Sequence, residues 1–307
     1  MISSSKNIIN GWLFLDKPSG KSSNLVLKEI KNKFNLKKIG FVGTLDPSAS
    51  GFLPIAVGKA TKIIKYIEKN DKEYLFTVCW GKKTSTADRE GDILETTDII
   101  PKKSQIIMAL NKFKNIKKQS PPKFSAKKIN GQRAYKLARE GIDFTLKVQD
   151  INILQLNLLE LEKKSASFYI KSSSGTYIRS LAESFSEILG TLGFVSKLRR
   201  VGFGNLDKKL ISLDSLLSLM HIDNFKNKIK PLDYIFNSEK KLDLNYEDAK
   251  KLLNGKPIDL RQTDIKKFIL DSSLKSHIIA KYKNDLIVVG LLKNNVLYPK
   301  TVMDLKE

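Results

Sequence analysis

The chain has 307 residues, 41% of them hydrophobic, with 55 Lys and Arg against 32 Asp and Glu, a formal charge of +23. That hydrophobic share is normal for a folded protein, so the charge belongs to a globular surface rather than a disordered tail, and a polyanion is the expected partner. The single Cys79 excludes an internal disulfide and a multi-cysteine metal site, and the two histidines, His221 and His277, exclude a histidine-rich zinc centre.

The length suggests about two domains. The longest apolar stretch near the end, 286–292, is too short to span a bilayer. The first residues hold no long apolar run before Asp16, so no signal peptide is expected. The expected location is cytoplasmic, without membrane contact. Only seven of the basic residues are Arg, at 89, 133, 139, 179, 199, 200 and 261. A chain that writes Lys by default and keeps Arg at a few places points to positions where a planar fork is needed.

In chain order, 11–16 (GWLFLD) predicts a buried strand and Pro18 to Gly20 a turn. Ser22 or Ser23 caps a helix through about Phe34, with Val26, Ile30 and Phe34 on one stripe. The stretch 39–58 (IGFVGTLDPSASGFLPIAVG), with its glycines and prolines, reads as a loop, and 61–67 as a short helix. From 73 to 80 the residues alternate, with Tyr74, Phe76, Val78 and Trp80 on one face of a strand. A polar loop, TSTADREG, follows at 84–91 and a helix at 102–113. The segment 119–141 opens on Pro121-Pro122 and ends in a short helix stopped by Gly141. Strands are expected at 148–161 and 166–172, then an amphipathic helix at 176–189 stopped by Gly190. Beyond a linker at 237–241, Asn245 caps a helix ending at Gly255, and strands at 276–282, 286–292 and 296–298 are joined by KND and KNN turns. Irregular alternation with hairpin-like pairs favours an α+β fold around a mixed, largely antiparallel sheet, followed by a small β-rich module.

Gly20-Lys21-Ser22 resembles the end of a phosphate-binding loop, but the glycine that motif needs five positions earlier is Leu15. The stretch is a turn into a helix. Four features remain as candidate chemistry. Asp46 sits in GTLDPSASG, where Pro47 holds it out of the helical region and flanking glycines permit tight turns; an ordinary Asx turn is the alternative. Tyr74, judged alone, is a core aromatic. Arg179 opposes the dipole in the first turn of its helix, so a carboxylate should compensate it, either a distant one or Glu183 on the same helix. The segment 117–139 mixes Lys and Arg with Phe124 and Tyr135, which suits either an RNA surface or a solvated basic loop.

Taken in order, GWLFLDKPSGKSS, GFVGTLDPSASGFLPIAVGKATK, DKEYLFTVCWGKKTSTADREG, QSPPKFSAKKINGQRAYKLAREG, SSSGTYIRSLAESF and KLRRVGFG resemble the motifs of the TruB family, the tRNA pseudouridine-55 synthases, over residues 11 to 204. The end of the chain, with LKNNVLYPKTVM, looks like the PUA-type RNA-binding domain of that family. The resemblance implies a catalytic domain at 1–236, with an RNA-contacting insertion at about 117–145, and a PUA-like domain at 242–307. It implies the pseudouridine synthase sheet and base flipping of a uridine in the tRNA T-arm. The sparse Cys and His fit a reaction with no cofactor or metal, and the lack of a coiled-coil pattern or long exposed apolar segment makes a monomer the expectation.

Residue by residue, Asp46 matches the catalytic aspartate and Arg179 the arginine that pairs with it, expected to hold it ionised and oriented. Tyr74 matches the tyrosine that packs on the target base and is implicated in proton removal. Tyr177 and Leu198 match positions lining the uridine pocket. Phe41 stands where family members usually carry a histidine beside the flipped base; it can stack but cannot donate a hydrogen bond. RNA contacts are expected at Lys17, Lys123, Lys127, Lys128, Arg133, Arg139, Arg199 and Arg200. The competing readings are a guide-dependent ribosomal RNA pseudouridine synthase and a non-catalytic RNA-binding or tRNA-folding protein.

Overall fold

A computed structural model describes residues 8–236, 241–262 and 276–303. The first part of the chain forms β1 (Gly11–Lys17), α1 (Ser23–Lys33), β2 (Ile39–Phe41), β3 (Ser50–Val57), β4 (Lys72–Trp80), β5 (Lys82–Thr84), β6 (Ile93–Thr96) and α2 (Lys103–Phe113). Next come β7 (Lys118–Gln119), β8 (Lys128–Ile129), β9 (Gln132–Arg133), α3 (Ala134–Arg139), β10 (Gln149–Asp150), β11 (Ile153–Leu161) and β12 (Ser165–Ser172). After these lie α4 (Ile178–Ile188), β13 (Gly193–Phe203), β14 (Ile211–Ser212), α5 (Leu213–Leu217) and α6 (Ile222–Lys226). The last part holds β15 (Lys241–Asp243), α7 (Tyr246–Leu253), β16 (Ile258–Asp259), β17 (Ser276–Tyr282), β18 (Asp285–Lys293) and β19 (Val296–Val302).

The main sheet runs β11-β12-β4-β13-β3-β1-β14, with β2 paired to β3. Its pairs are antiparallel except β13 with β3 and β1 with β14. This is the α+β, largely antiparallel arrangement expected from the alternation of elements. The helices α2 and α4 cover Phe76, Val78 and Phe168 on one region of the sheet. On the other half, α1 packs Val26 and Ile30 against Leu13, Leu15, Leu53 and Ile55. The opposite faces of β1 and β3 are buried as well, through Trp12, Phe14, Phe52 and Ala56. Burial on both faces is why these strands read as unbroken apolar runs.

Three expectations need correction. Residues 39–58 are not a loop: they contain β2 and the eight-residue β3 at the centre of the sheet. Because β3 is apolar on both faces and contains Pro54, neither period-two alternation nor breaker residues could mark it as a strand. The eleven-residue β13 was assigned no element at all, yet it lies between β4 and β3. Register shifts after Val195 and Arg200 break its alternation. The helix expected at 61–67 is two 3-10 turns, Gly58–Lys62 and Ile64–Tyr66.

The remaining elements follow their local signals. Ser22 caps α1 by accepting from the Leu25 amide at 3.2 Å. Asn245 caps α7 by accepting from the Asp248 amide at 2.8 Å. Most of the linker expected at 237–241 lies outside the described residues, while Lys241 begins β15. A five-stranded sheet follows, ordered β15-β17-β18-β19-β16. Its two tight turns use Lys283-Asn284 and Asn294-Asn295, all four with positive φ, the backbone that a right-twisted hairpin needs.

This C-terminal sheet packs on the main body. Ile279, Leu286, Val289 and Met303 join one core with Trp12 and Phe52, and the Tyr66 hydroxyl meets that of Thr301 at 2.8 Å. Beside that contact, Asp233 is buried and accepts from Lys241 at 2.9 Å and Lys281 at 3.2 Å. Burial would raise its carboxyl, but the two lysines outweigh that and hold it below its ordinary value. A carboxylate depressed in the folded state stabilises above its unfolded pKa and loses that contribution as pH falls through the folded one. Asp233→Asn is therefore expected to cost about 1–3 kcal/mol at neutral pH. In urea titrations the gap from wild type should close as the solution is acidified well below the ordinary aspartate value; a gap unchanged with pH would contradict the ion-pair account.

Candidate active site

The loop from Gly43 to Gly51 joins β2 to β3 and carries Asp46. It is pinned from below. Ser23, at the start of α1, bonds both backbone atoms of Leu45: its Oγ donates to the carbonyl at 2.9 Å and accepts from the amide at 3.1 Å. The Pro47 carbonyl accepts from the Gly20 amide at 2.8 Å. Lys17 completes the base. Its ammonium is fully buried and donates to the carbonyls of Pro18 at 2.8 Å, Lys21 at 2.5 Å and Pro47 at 3.4 Å. Burial lowers its pKa to about 8. An ammonium enclosed by three carbonyls cannot also reach RNA, so the expected contact at Lys17 is corrected to a structural tie.

Arg179, the second residue of α4, meets Asp46 through two bonds: Nε to Oδ2 at 2.9 Å and Nη2 to Oδ1 at 3.2 Å. Its side chain is 5% exposed while that of Asp46 is 34% exposed. The compensating anion at the N-terminus of α4 is thus the distant Asp46, and not Glu183. The other donors of the fork are used too, Nη1 on the Thr86 carbonyl at 3.0 Å and Nη2 on the Phe124 carbonyl at 2.9 Å. The start of α4 is fixed by Gln119, whose side chain accepts from the Tyr177 amide at 2.8 Å and donates to its carbonyl at 2.9 Å.

Asp88 was missed by sequence reasoning. It lies in the polar loop TSTADREG, buried, with Oδ2 4.0 Å from Arg179 Nε and 3.3 Å from the donating Ser48 hydroxyl. Its Oδ1 accepts from Thr86 Oγ1 at 2.5 Å and from the Glu90 amide at 3.0 Å. The signal was there, in a Thr-x-Asp pattern of self-bonding turn residues, although it does not reveal that the turn backs onto Arg179. Ala87, between them, has φ +59, a conformation uncommon outside glycine and held here by the bond from the Val195 amide to its carbonyl.

Asp46, Tyr74, Tyr177, Arg179, Leu198 and Arg200 line one cavity of about 400 Å³. Ser125 and Lys127, from the basic segment, and Lys72 complete part of its wall. Tyr74 is half-buried, at the end of the face that Phe76, Val78 and Trp80 bury. Phe41 does not line the cavity; it pairs with Ile55 across β2 and β3 and packs on the core beneath α1. Arg200 is 1% exposed and donates to the carbonyls of Phe52 and Gly43, so its expected RNA contact is also corrected: no surface is left to it. Arg199 is partly exposed but engaged by Asp16 in a two-bond pair at 2.9 and 2.7 Å. Lys123, Lys127, Lys128, Arg133 and Arg139 are exposed on the segment around α3, where Lys123 pairs with Asp143 and Arg139 lies over the Tyr135 ring.

Electrostatics depart from expectation at one point. Arg179 orients Asp46 as foreseen, but burial is the largest influence on the carboxyl and raises its pKa; Arg179 pulls it down and Asp88 pushes it up again. The net direction is upward, which makes the carboxylate more basic and more nucleophilic than a surface one. Burial likewise raises the Tyr177 phenol and lowers the neighbouring Lys72 to about 8. Among the described residues no three His, Cys, Asp or Glu side chains converge as a metal ligand set, and no helix is long and apolar enough to cross a membrane. An activated carboxylate, a fixed guanidinium and a phenol around a nucleotide-sized cavity can support attack on, or proton transfer from, a sugar or base.

Comparisons with known proteins place the chain among relatives of one family. The family described as TruB family pseudouridylate synthase (N terminal domain) matches residues 31–178. A protein of Ehrlichia chaffeensis named tRNA pseudouridine synthase B is 43% identical over 255 residues, covering 81% of this chain and 86% of its own. Another of that name, from Ehrlichia ruminantium, is 36% identical over 299 residues, covering 96% and 99%. In fold, the chain superposes on a protein solved in the "Crystal Structure of a Cbf5-Nop10-Gar1 Complex", with TM-score 0.68 and 22% identity, over 95% of this chain and 84% of that one.

The charge balance around Asp46 yields a direct test. Carbon-13 carboxyl titration should find the Asp46 midpoint above the ordinary aspartate value, and Arg179→Met should move it higher still, because the one strong downward influence is gone. A wild-type midpoint at or below the ordinary value would contradict the dominance of burial.

Proposed function

The chain belongs to the TruB family of pseudouridylate synthases, and from that premise we propose that it isomerises uridine 55 in the T-loop of tRNA, acting alone as a cytoplasmic monomer. It is a tRNA pseudouridine synthase with the fold of that enzyme class. The observation that carries the reading is the two-bond contact between Asp46 and the buried Arg179 at a cavity that also holds Tyr74. The tRNA partner is favoured over a guide-directed ribosomal substrate by the relatives that share 43% and 36% identity, which are named for tRNA. The division into a catalytic domain at 1–236 and a PUA-like RNA-binding domain at 242–307 is supported by the separate five-stranded sheet after residue 240.

In the reaction the N1–C1′ bond breaks with its electron pair leaving on the uracil ring. The ring turns, C5 bonds to C1′, and the C5 proton departs to restore the C5–C6 double bond while N1, freed from the sugar, takes up a proton. Three roles for Asp46 meet this requirement: addition to C1′, addition to uracil C6, or acting as base toward a glycal. Each needs the ionised carboxylate. Arg179 keeps it aimed at the cavity and favours the charged form against the pull of burial. Tyr74 packs on the base and is the group placed to take the C5 proton. That step requires its phenol to have first given up its own proton, because a neutral phenol is an acid with a reference pKa of about 10. Tyr177 and Leu198 bound the uridine from the sides.

The target uridine must leave its stack, at a cost of a few kcal/mol. Exposed Lys123, Lys127, Lys128, Arg133 and Arg139, on the segment that also supplies Ser125 to the cavity, are suited to offset this by holding phosphates on either side. Because that binding is electrostatic, tRNA affinity should fall steeply with salt.

The test is release of tritium from C5-labelled uridine in a tRNA transcript by the purified protein alone. Wild type should release it; Asp46→Asn should not, while binding tRNA with little change. Arg179→Lys should lose much of the rate, since an ammonium has no planar fork to hold Asp46 and the Thr86 and Phe124 carbonyls together. Near-wild-type release by Asp46→Asn would remove Asp46 from the reaction, and retained binding without release by wild type would favour an RNA-binding protein.

A further inference from the structure

Both ends of the Asp46 loop meet the same side chain. Arg200 sits on β13, opposite Gly51 of β3 on one side and opposite Tyr74 of β4 on the other. Its Nε donates to the Phe52 carbonyl at 2.7 Å, just past the end of the loop, and its Nη2 to the Gly43 carbonyl at 2.9 Å, at the start. Tyr74 and Arg200 are direct cross-strand neighbours and line the same cavity.

The loop is pressed close to this residue. A Cβ on Gly43 would stand 3.1 Å from Nη1 of Arg200, and one on Gly51 2.2 Å from the Arg200 carbonyl oxygen. Gly43 and Gly51 have φ of +67° and +101°, so each position excludes larger residues by backbone as well as by space. Among the described residues no carboxylate forms an ion pair with Arg200. A buried charge without a counter-ion is costly unless its donors are satisfied, and here the Phe52 and Gly43 carbonyls take Nε and Nη2. A lysine here has no planar fork to span these two carbonyls, which lie at the two ends of the loop.

We infer that Arg200 is a positioning residue, a fork that fixes the Asp46 loop and the Tyr74 hydroxyl in one frame and so sets the gap in which the flipped uracil is held. The inference deepens the proposed function and rests on it. Arg200 lies behind the residues that meet the base; it acts by keeping the carboxylate and the phenol at a fixed separation. Displacing either by about 1 Å is the kind of error that costs on the order of a hundredfold in rate.

The experiment compares wild type, Arg200→Lys, Tyr74→Phe and the double variant. Single-turnover tritium release reports the chemical step, filter binding reports tRNA affinity, and thermal unfolding checks that each protein is folded at the assay temperature. Arg200→Lys is expected to lose about tenfold or more in rate with affinity within about twofold, and the same change made in Tyr74→Phe to lose about threefold or less, since the phenol it positions is gone. If Arg200→Lys does not fold, Arg200→Gln, which removes the charge but keeps one side-chain donor in the same place, is expected to show the same dependence on Tyr74. A rate loss under twofold, an equal loss in both backgrounds, or a loss confined to tRNA affinity would overturn the positioning role while leaving wild-type release intact. Absence of release by wild type itself would instead count against the proposed function.

Discussion

Taking a carboxylate and a guanidinium out of water costs several kcal/mol per ion, and the pair repays this only when its geometry is good and its remaining donors are met. Asp46 and Arg179 satisfy both conditions, and much of the molecule is arranged around doing so. The fork of Arg179 is filled by Asp46 from the β2–β3 loop, the Thr86 carbonyl from the polar loop after β5 and the Phe124 carbonyl from the basic segment. Three segments distant in sequence are thereby joined at the first turn of one helix. Removing any of them would leave a buried charge short of a partner, so the site and the fold around it are not separable.

The excess positive charge divides into two populations with different physics. Lys17, Lys72 and Arg200 are buried beneath or behind the cavity and spend their donors on backbone carbonyls. They shape the wall and hold the catalytic loop. The exposed lysines and arginines around α3 keep their charge in water, where it is felt at a distance and screened by salt. A count of basic residues cannot separate the two, although they serve the reaction in opposite ways, one by fixing atoms and the other by gathering a polyanion.

Much of this was legible in the sequence, and the failures have a common cause. Elements with one buried face announced themselves: α1, α4, α7, β4 and the C-terminal hairpins lie where their periodicity and turn residues put them. Strands buried on both faces or bent by bulges did not, and these, β3 and β13, form the middle of the sheet. Local propensity carries no information about a second layer of packing. At the site, Asp46, Tyr74, Arg179, Tyr177 and Leu198 meet at one cavity as the motifs implied. Phe41 does not, and Lys17 and Arg200 turned from surface to interior, because a basic residue in a basic chain looks the same whether it faces RNA or a carbonyl. Asp88 went unseen since its partner is 91 positions away.

The forks of Arg179 and Arg200 also bear on how such a chain changes over time. Two of the arginine codons, AGA and AGG, lie one base from the lysine codons AAA and AAG, so drift toward A-rich coding converts arginine to lysine by single steps. On an exposed helix that conversion is nearly silent. At these two positions it would replace a planar fork spanning acceptors on separate segments with a compact ammonium that cannot span them.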